Sequence, residues 1–294
     1  MTAGERGVLL LCCALGQPEA RPLTAAQFRD LGRRVLAAGR PAGDGPVRAS
    51  DLEALGVGRV LACRAAALLD REAVLERYLD AAAALGIFPL TRVSPGYPRQ
   101  LTEKGGALRP PVLFCAGDRR VLEGPFLGLA GARDASPAAL DFAARTGALA
   151  ARQGLTLVTG GARGADRAAV EACQAAGGRT LTFVPDDLIR RAAGAGPGRL
   201  VCSEGGYELA FTAQRALARN TLIHRMGERT VAIQPGFRRG GTWSGAAENL
   251  RRSWSRLYVY DDGSAAAALL VRMGASALPT PEALFDPLPV RQRG

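Results

Sequence analysis

The sequence predicts an α/β protein in which a doubly wound, mostly parallel sheet follows a small all-helical N-terminal domain. From about residue 87, short β-like runs alternate with longer helical patterns, and the loops between them are short. Such alternation is typical of a parallel sheet covered by helices on both faces. Residues 5–86 show helical periodicity instead. We therefore expect a helical domain over 1–90, a Rossmann-like domain over 91–275 and a tail over 276–294.

The N-terminal region begins with an apolar run over residues 7–15. Nine residues are too few to span a bilayer, so this run predicts a buried first helix. Thr24 is placed to cap a second helix, the Gly- and Pro-rich stretch 39–46 predicts a loop, and further helices are expected over 60–69 and 71–85. No other segment approaches transmembrane length, so we expect a cytoplasmic protein without a membrane partner.

The α/β region divides into a series of strands and helices that largely alternate. Strands are expected at 112–115, 126–130, 155–159, 179–184, 200–203, 230–234 and 257–260. Helices are expected over 136–152, 164–176, 209–225, 244–252 and 264–273. The last stretch is rich in proline and has no apolar period, which predicts the tail. In an open sheet of this kind, ligands bind beyond the carboxyl ends of the strands.

The charge is strongly positive and unevenly placed. The net charge is +11, almost all of the basic residues are arginine, and residues 188–256 hold 12 arginines against 4 glutamates. This net +8 is what a binding surface for a polyanion would require, although solvated arginine would give the same count. Only 5% of the residues are aromatic, so platforms for stacking bare bases cannot be numerous.

Several kinds of chemistry are disfavoured by composition. The six cysteines have no CxxC spacing and are expected as buried free thiols in a reducing cytosol. The single histidine, His224, argues against a His-rich metal site and a Ser-His-Asp triad, and its own place, packed or solvated, stays open. We expect no metal and no cofactor.

Two glycine-containing loops follow the second and third strands of the α/β region. In the first, Gly131 permits a tight turn, Arg133 can hold an anion, and Ser136 starts a helix. The second loop offers backbone N–H groups at a helix N-terminus to a phosphate. A purely structural glycine turn is its alternative, and Asp166 is either an ordinary first-turn residue or a partner for a ribose or an arginine. The candidate residues of this second loop are Gly160, Gly161, Arg163, Gly164 and Asp166.

A third region begins with Ser203 and Glu204 and continues on the helix that carries Arg219 and Asn220. A guanidinium beside an amide can bind a phosphate and a base edge, so we interpret Arg219 and Asn220 as functional. Arg225, on the same helix, is interpreted as a solvated surface residue.

The fourth loop joins two arginines to a glycine turn that opens a helix. It forms a second candidate anion site, and Trp243 beside it is either a base-stacking residue or core. The candidate residues are Arg238, Arg239, Gly240, Gly241 and Thr242.

Taken in order, these motifs resemble the DNA-processing protein DprA (Smf) family. GYPRQL at 96–101 and RPPVLF at 109–114 look like the entry to that family's Rossmann domain. GARDAS at 131–136 and TGGARGAD at 159–166 are similar to its two glycine loops, and the SE and RN pairs match two further motifs. The resemblance covers about residues 95–261, and the family's C-terminal winged-helix domain has no counterpart in this sequence.

The resemblance implies single-stranded DNA binding in a basic pocket, without catalysis, during DNA uptake, transformation and recombination. It also implies a homodimer and a RecA-type recombinase as partner. The family's pocket residues would fall here on Arg133, Gly160, Arg163, Gly164, Arg219 and Asn220.

Two other functions remain open. One is hydrolysis of nucleoside monophosphates, as in the lysine-decarboxylase-like LOG proteins, with Glu204 and Glu248 as the available carboxylates. The other is sensing of a free nucleotide without turnover. The arginine-rich block favours DNA, because binding a polyanion requires several neutralised phosphates.

Overall fold

The computed structural model describes residues 1–39, 47–106 and 109–285, so the predicted loop beyond Gly39 and the end of the predicted tail lie outside the described residues. The chain forms two compact units. Unit 1 comprises Met1–Gly117, Val184–Gly196 and Val201–Phe211. Unit 2 comprises Asp118–Phe183, Pro197–Leu200 and Thr212–Gly294. The domain limit predicted at residue 90 remains a prediction, and unit 1 continues beyond it to Gly117.

Five helices open unit 1, and two of them begin with reciprocal caps. The side chains of Thr2 and Thr24 accept the N–H groups of Glu5 and Gln27, whose own side chains accept the N–H groups of the two threonines. The apolar N-terminal run is buried, which confirms the predicted first helix. These helices are α1 (Ala3–Cys12), α2 (Ala25–Ala37), α3 (Ala49–Ala54), α4 (Arg59–Leu69) and α5 (Glu72–Ala84).

A two-stranded antiparallel pair completes the frame of unit 1. It joins β1 (Ile87–Thr91) to β2 (Val112–Gly117), with Ile87 opposite Ala116 and Thr91 opposite Val112. Strand β1 was not predicted from the sequence, because it has only five residues and one of them is a proline. In the core of unit 1, the rings of Tyr78, Phe114 and Tyr207 make edge-on and tilted contacts with one another. Two short helices, α6 (Arg99–Gly105) and α9 (Leu188–Ala192), also lie in this unit.

The remaining strands are β3 (Phe126–Gly131), β4 (Thr156–Thr159), β5 (Arg179–Val184), β6 (Arg199–Glu204), β7 (Arg229–Ile233), β8 (Arg256–Tyr260) and β9 (Ser276–Leu278). In unit 2 the order β5-β4-β3-β7-β8-β9 is parallel throughout. This arrangement confirms the predicted parallel sheet.

Helices cover both faces of this sheet, as the sequence predicts. Val231 and Ile233 of β7 pack into one core cluster, whereas Ala232 between them packs into another. Because successive strand residues point to opposite faces, the two clusters lie on opposite sides of the sheet. The helices of unit 2 are α7 (Pro137–Arg152), α8 (Ala165–Ala175), α10 (Ala213–Met226), α11 (Gly240–Arg252) and α12 (Ala265–Arg272).

The predicted tail is wrong over residues 276–285. Strand β9 pairs with β8, and a 3-10 helix follows over Pro281–Phe285. Leu278 and Leu284 are completely buried in the core that α7 and α8 share. A three-residue strand and one turn of 3-10 helix are too short to show an apolar period, which is why the sequence pattern did not reveal them.

Two further expectations concern thiols and membranes. All six cysteines are free thiols, four of them buried, while Cys63 is exposed and Cys12 is half-buried. No helix within the described ranges has the length and hydrophobicity needed to cross a bilayer.

Candidate nucleic-acid interface

Three candidate loops follow strands that are direct neighbours in unit 2. The pairing β4-β3-β7 brings the carboxyl ends of these strands together at one edge of the sheet. We name this surface the arginine ledge, and define it as residues 131–136, 160–166 and 234–242 together with Arg219 and Asn220.

A buried carboxylate holds the first two loops together. Asp166, in the first turn of α8, is 4% exposed and accepts the N–H of Gly131 at 2.8 Å and that of Gly160 at 3.1 Å. The N–H of Ala162 also donates to it. Burial raises the pKa of Asp166 above its usual value, while the charge of Arg219 and the three N–H groups act in the opposite direction. Asp166 therefore shapes the loops from inside, and its carboxylate is directed at protein backbone.

Two glycines allow the same loops to approach each other closely. A Cβ at Gly131 would lie 2.3 Å from the Cβ of Ala165. Gly164 has φ +82°, and a Cβ there would lie 2.3 Å from the carbonyl oxygen of Arg133. The N–H of Ala165 donates to the carbonyl of Ala132 at 3.1 Å. These positions thus require glycine for steric reasons, in addition to any contact with a ligand.

Helix α10 supports the ledge through the Arg-Asn pair. Arg219 is 8% exposed, and its Nη1 donates to the carbonyl of Phe183 at 3.5 Å. The guanidinium lies so close to Gly160 that a Cβ there would be 1.2 Å from Nη1. Asn220 lies against the first turn of α11, since a Cβ at Gly241 would be 2.5 Å from its Nδ2. The pair predicted from the sequence is therefore part of the ledge, with Arg219 contributing positive charge from beneath the second loop.

The loop after β7 is held by Gln234, which no motif in the sequence singles out. Gln234, directly after β7, has φ +47°, and its Oε1 accepts the N–H of Ser136 at 2.8 Å. The hydroxyl of Thr242 donates to the carbonyl of Gly131 at 3.0 Å. Ser136 also caps α7 by accepting the N–H of Ala139. The only sequence signal for Gln234 was its place at a strand end, which does not specify a side-chain contact.

The solvent side of the ledge carries the exposed guanidinium groups of Arg133, Arg163, Arg238 and Arg239. Arg163 forms an ion pair with Asp134 at 2.9 Å, which joins the first two loops on their outer side. Both of these side chains are largely exposed, and such a pair contributes little to stability. A phosphate can therefore replace Asp134 as the partner of Arg163 at small cost.

Part of the arginine-rich block has a structural role and does not reach the ledge. Glu248 forms ion pairs with Arg251 and with Arg252 on the same helix. Arg225, interpreted from the sequence as solvated, is 2% exposed, and its Cζ lies 4.6 Å from the ring centroid of Trp254. That prediction is wrong because the indole ring covers this face of α10.

Four further candidates are buried or half-buried. Ser203 and Glu204 belong to unit 1, where Ser203 is 1% exposed and Glu204 is half-buried. Trp243 is 8% exposed in a core cluster with Ala232, in agreement with its structural alternative. His224 is fully buried and neither of its ring nitrogens has a hydrogen-bond partner; burial lowers its pKa to about 3.

Comparison with solved structures shows which folds this chain shares. It is similar to DNA processing protein A (DprA) from Streptococcus pneumoniae, with a TM-score of 0.71 and 20% identity over 97% of this chain and 98% of that one. It is also similar to DNA processing protein A from Helicobacter pylori, a structure described for its single-stranded DNA binding mode. There the TM-score is 0.54, with 23% identity over 67% of this chain and 93% of that one. At these identities the likeness establishes the fold.

Comparison with family models assigns the chain more directly. No curated protein matches the chain. The model of a family described as DNA recombination-mediator protein A matches residues 89–288, which is more than half of the chain. This match includes all the residues of the arginine ledge and confirms the resemblance seen in the sequence motifs. The chain belongs to the DNA recombination-mediator protein A family.

Proposed function

We propose that this chain binds single-stranded DNA on the arginine ledge and acts without catalysis in DNA uptake and recombination. The observation that carries the proposal is that the loops after β4, β3 and β7 are held together by hydrogen bonds and present four exposed arginines. Family membership supports the assignment, as does the single-stranded DNA binding described for the Helicobacter pylori protein.

The geometry of the ledge suits a phosphate backbone. Guanidinium groups bind phosphate oxygens with paired N–H donors, and each bound phosphate releases counterions. Asp166 and Gln234 fix the loops before any ligand arrives. The strand therefore meets a surface whose backbone is already ordered, which reduces the entropy lost on binding.

The acid–base groups favour binding over turnover. Of the carboxylates that a nucleoside-monophosphate hydrolase would use, Glu248 is hydrogen-bonded by Arg251 and Arg252, which lower its pKa and make it a weak base. His224, the single histidine, is buried and neutral near pH 7. Asp166 is surrounded by backbone N–H groups. These residues support a binding protein more than the phosphoribohydrolase alternative.

The central test is fluorescence anisotropy with a labelled single-stranded oligodeoxynucleotide. We expect Arg133→Ala and Arg238→Ala each to weaken binding by about 1 kcal/mol, roughly fivefold, because each removes a charge-assisted contact to phosphate. Arg152→Ala is the matched control. Arg152 is exposed in the last turn of α7, at the opposite edge of the sheet, and its loss removes the same charge.

Two results would contradict the proposal. One is an absence of binding at low salt, and the other is equal weakening by Arg152→Ala. Incubation with AMP addresses the enzyme alternative directly, because adenine released by the wild-type protein would identify a hydrolase. Titration with free nucleotides addresses the sensor alternative, which requires tighter binding of a mononucleotide than of an oligonucleotide.

The wider role rests on the family alone. We propose the cytoplasm as the place of action, a homodimer as the working form and a RecA-type recombinase as partner. Analytical ultracentrifugation measures whether the protein is a dimer in solution, and a monomer would contradict the proposed homodimer. The growth of recombinase filaments on DNA strands already covered by this protein tests the recombinase partnership. Unchanged filament growth would contradict that partnership.

A further inference from the structure

The loop between β7 and α11 presents an aromatic ring to solvent. Phe237 is 51% exposed, and among the aromatic side chains described in unit 2 it alone is exposed. The two residues that follow it, Arg238 and Arg239, are exposed arginines of the arginine ledge. An exposed phenylalanine beside two arginines combines an apolar ring face with positive charge at one place.

A tight turn holds this ring outward. The N–H of Arg239 donates to the carbonyl of Gly236 at 3.3 Å, so Phe237 and Arg238 occupy the two corner positions of a four-residue turn. Arg238 has φ +53°, the left-handed region that glycine adopts at no steric cost. An arginine at this corner costs local conformational energy, and such outliers concentrate where the side chain has a function.

The ring has a fixed support and an adjacent cation. The centroid of Phe237 lies 6.2 Å from that of Trp243, which belongs to the first turn of α11 and is buried in a core cluster. The Cζ of Arg238 lies 5.6 Å from the Phe237 centroid. Trp243 thus limits the positions of the ring from below, while half of the Phe237 surface stays accessible.

We propose that Phe237 is a stacking platform for an unpaired base, and that Arg238 binds the phosphate next to that base. The proposal rests on the single-stranded DNA binding proposed above and specifies its chemistry. Every base has a π-face, so a stacking contact of this kind is tolerant of sequence. It also requires bases that are free of a duplex, which makes Phe237 the residue that favours single strands over double strands.

The experiment compares four variants, Phe237→Ala, Phe237→Leu, Phe237→Tyr and Phe237→Trp, on two labelled strands of equal length. One strand is oligodeoxythymidylate and the other is an abasic strand with the same phosphates. We expect the Ala and Leu variants to lose roughly 5- to 150-fold in affinity for oligodeoxythymidylate, the range reported for one stacked base. The Tyr and Trp variants keep near-wild-type affinity, and no variant changes affinity for the abasic strand or the salt slope.

The Leu variant is the decisive control, because it keeps apolar bulk and removes the π-face. Wild-type affinity in the Leu variant, or equal losses on the abasic strand, would overturn the stacking role and leave the proposed function intact. Failure of the wild-type protein to bind either strand would instead refute the proposed function, and the stacking role with it. Since Phe237 is exposed, unchanged thermal unfolding of all four variants is expected and confirms that the fold is retained.

Discussion

At the scale of single residues, the ledge depends on side chains whose hydrogen bonds go to the protein backbone. Asp166 accepts three backbone N–H groups from the first two loops, and Gln234 accepts a fourth from Ser136. A buried donor without a partner costs about 1–3 kcal/mol, so these acceptors determine the loop conformation. The motif residues of the loops are in large part the means by which the exposed arginines are positioned.

A comparison of Gly164 with Gly177 separates two reasons for glycine: lack of space for a Cβ and a positive φ. Both have positive φ, +82° and +73°, but only at Gly164 would a Cβ meet another chain segment. We expect Gly177→Ala to lower the free energy of unfolding by about 1 kcal/mol, the cost of a left-handed residue. We expect Gly164→Ala to cost roughly 1–3 kcal/mol more, because the first loop must move, and to weaken DNA binding.

Urea unfolding and anisotropy measure these two effects. Equal losses of stability in the two variants, or unchanged DNA binding by Gly164→Ala, would show that the contact between the loops does not hold the ledge in place.

The buried His224 predicts that the free energy of unfolding falls at acidic pH, and this loss can be assigned to a single residue. Burial lowers its folded-state pKa from 6.5 to about 3, so between these values the unfolded chain binds a proton that the folded protein does not. The stability is therefore fully present above pH 6.5 and falls as the pH drops, by up to about 1.4 kcal/mol per pH unit. Since His224 is the only histidine, His224→Leu should flatten this slope between pH 6.5 and about 5. The free energy of urea unfolding at several pH values measures it, and the same slope in both proteins would contradict this account.

At the scale of elements, the segment after α12 shows how tertiary contacts define structure that periodicity does not. The 3-10 helix Pro281–Phe285 buries a leucine, forms the exposed ion pair of Arg145 with Glu282 at 3.0 Å, and places the ring of Phe285 under Arg229. Each contact joins residues far apart in sequence. No local window contains them, and proline-rich composition by itself is typical of a tail.

Leu284→Ala tests this element. Leu284 is completely buried, so its truncation should lower the free energy of unfolding by about 2–5 kcal/mol. Met273→Ala is the control, because Met273 is 45% exposed and its loss should cost less than about 0.5 kcal/mol. A small effect of Leu284→Ala in chemical denaturation would mean that the segment is a tail after all.

At the scale of the whole molecule, the relevant charge is a local one. The net charge of +11 includes arginines that pair with Glu248 or stack on Trp254, as well as those on the ledge. Nonspecific attraction follows the whole field of the protein, whereas the salt slope counts the phosphates that are contacted.

With four exposed arginines on the ledge, we expect the logarithm of the affinity to fall with the logarithm of salt at a slope of about −3. Arg239→Ala should reduce the steepness by about 0.7, the share of one phosphate on a single strand. Arg152→Ala should leave it unchanged. Anisotropy at several sodium chloride concentrations measures the slope, and a flat slope would exclude binding through phosphates.

Much of the fold and part of the site could be predicted from local signals. The parallel strand–helix succession and the strand-end loops appear in the sequence because apolar period and glycine turns act over a few residues. Strand β1, strand β9 and Gln234 were missed because their stabilising partners lie far away in the chain. Arg225 was misinterpreted for the same reason, since no residue near it in the sequence indicates that its side chain contacts Trp254.

By itself, the sequence determined the fold class, the family and the identity of the loops after β3, β4 and β7. Only the tertiary structure decided which arginines face solvent, because burial depends on distant segments such as the Trp254 indole and the Gly160 turn. It also decided that the Asp166 carboxylate accepts backbone N–H groups of two loops. A side chain's chemistry is local, but what that side chain touches depends on how remote parts of the chain pack.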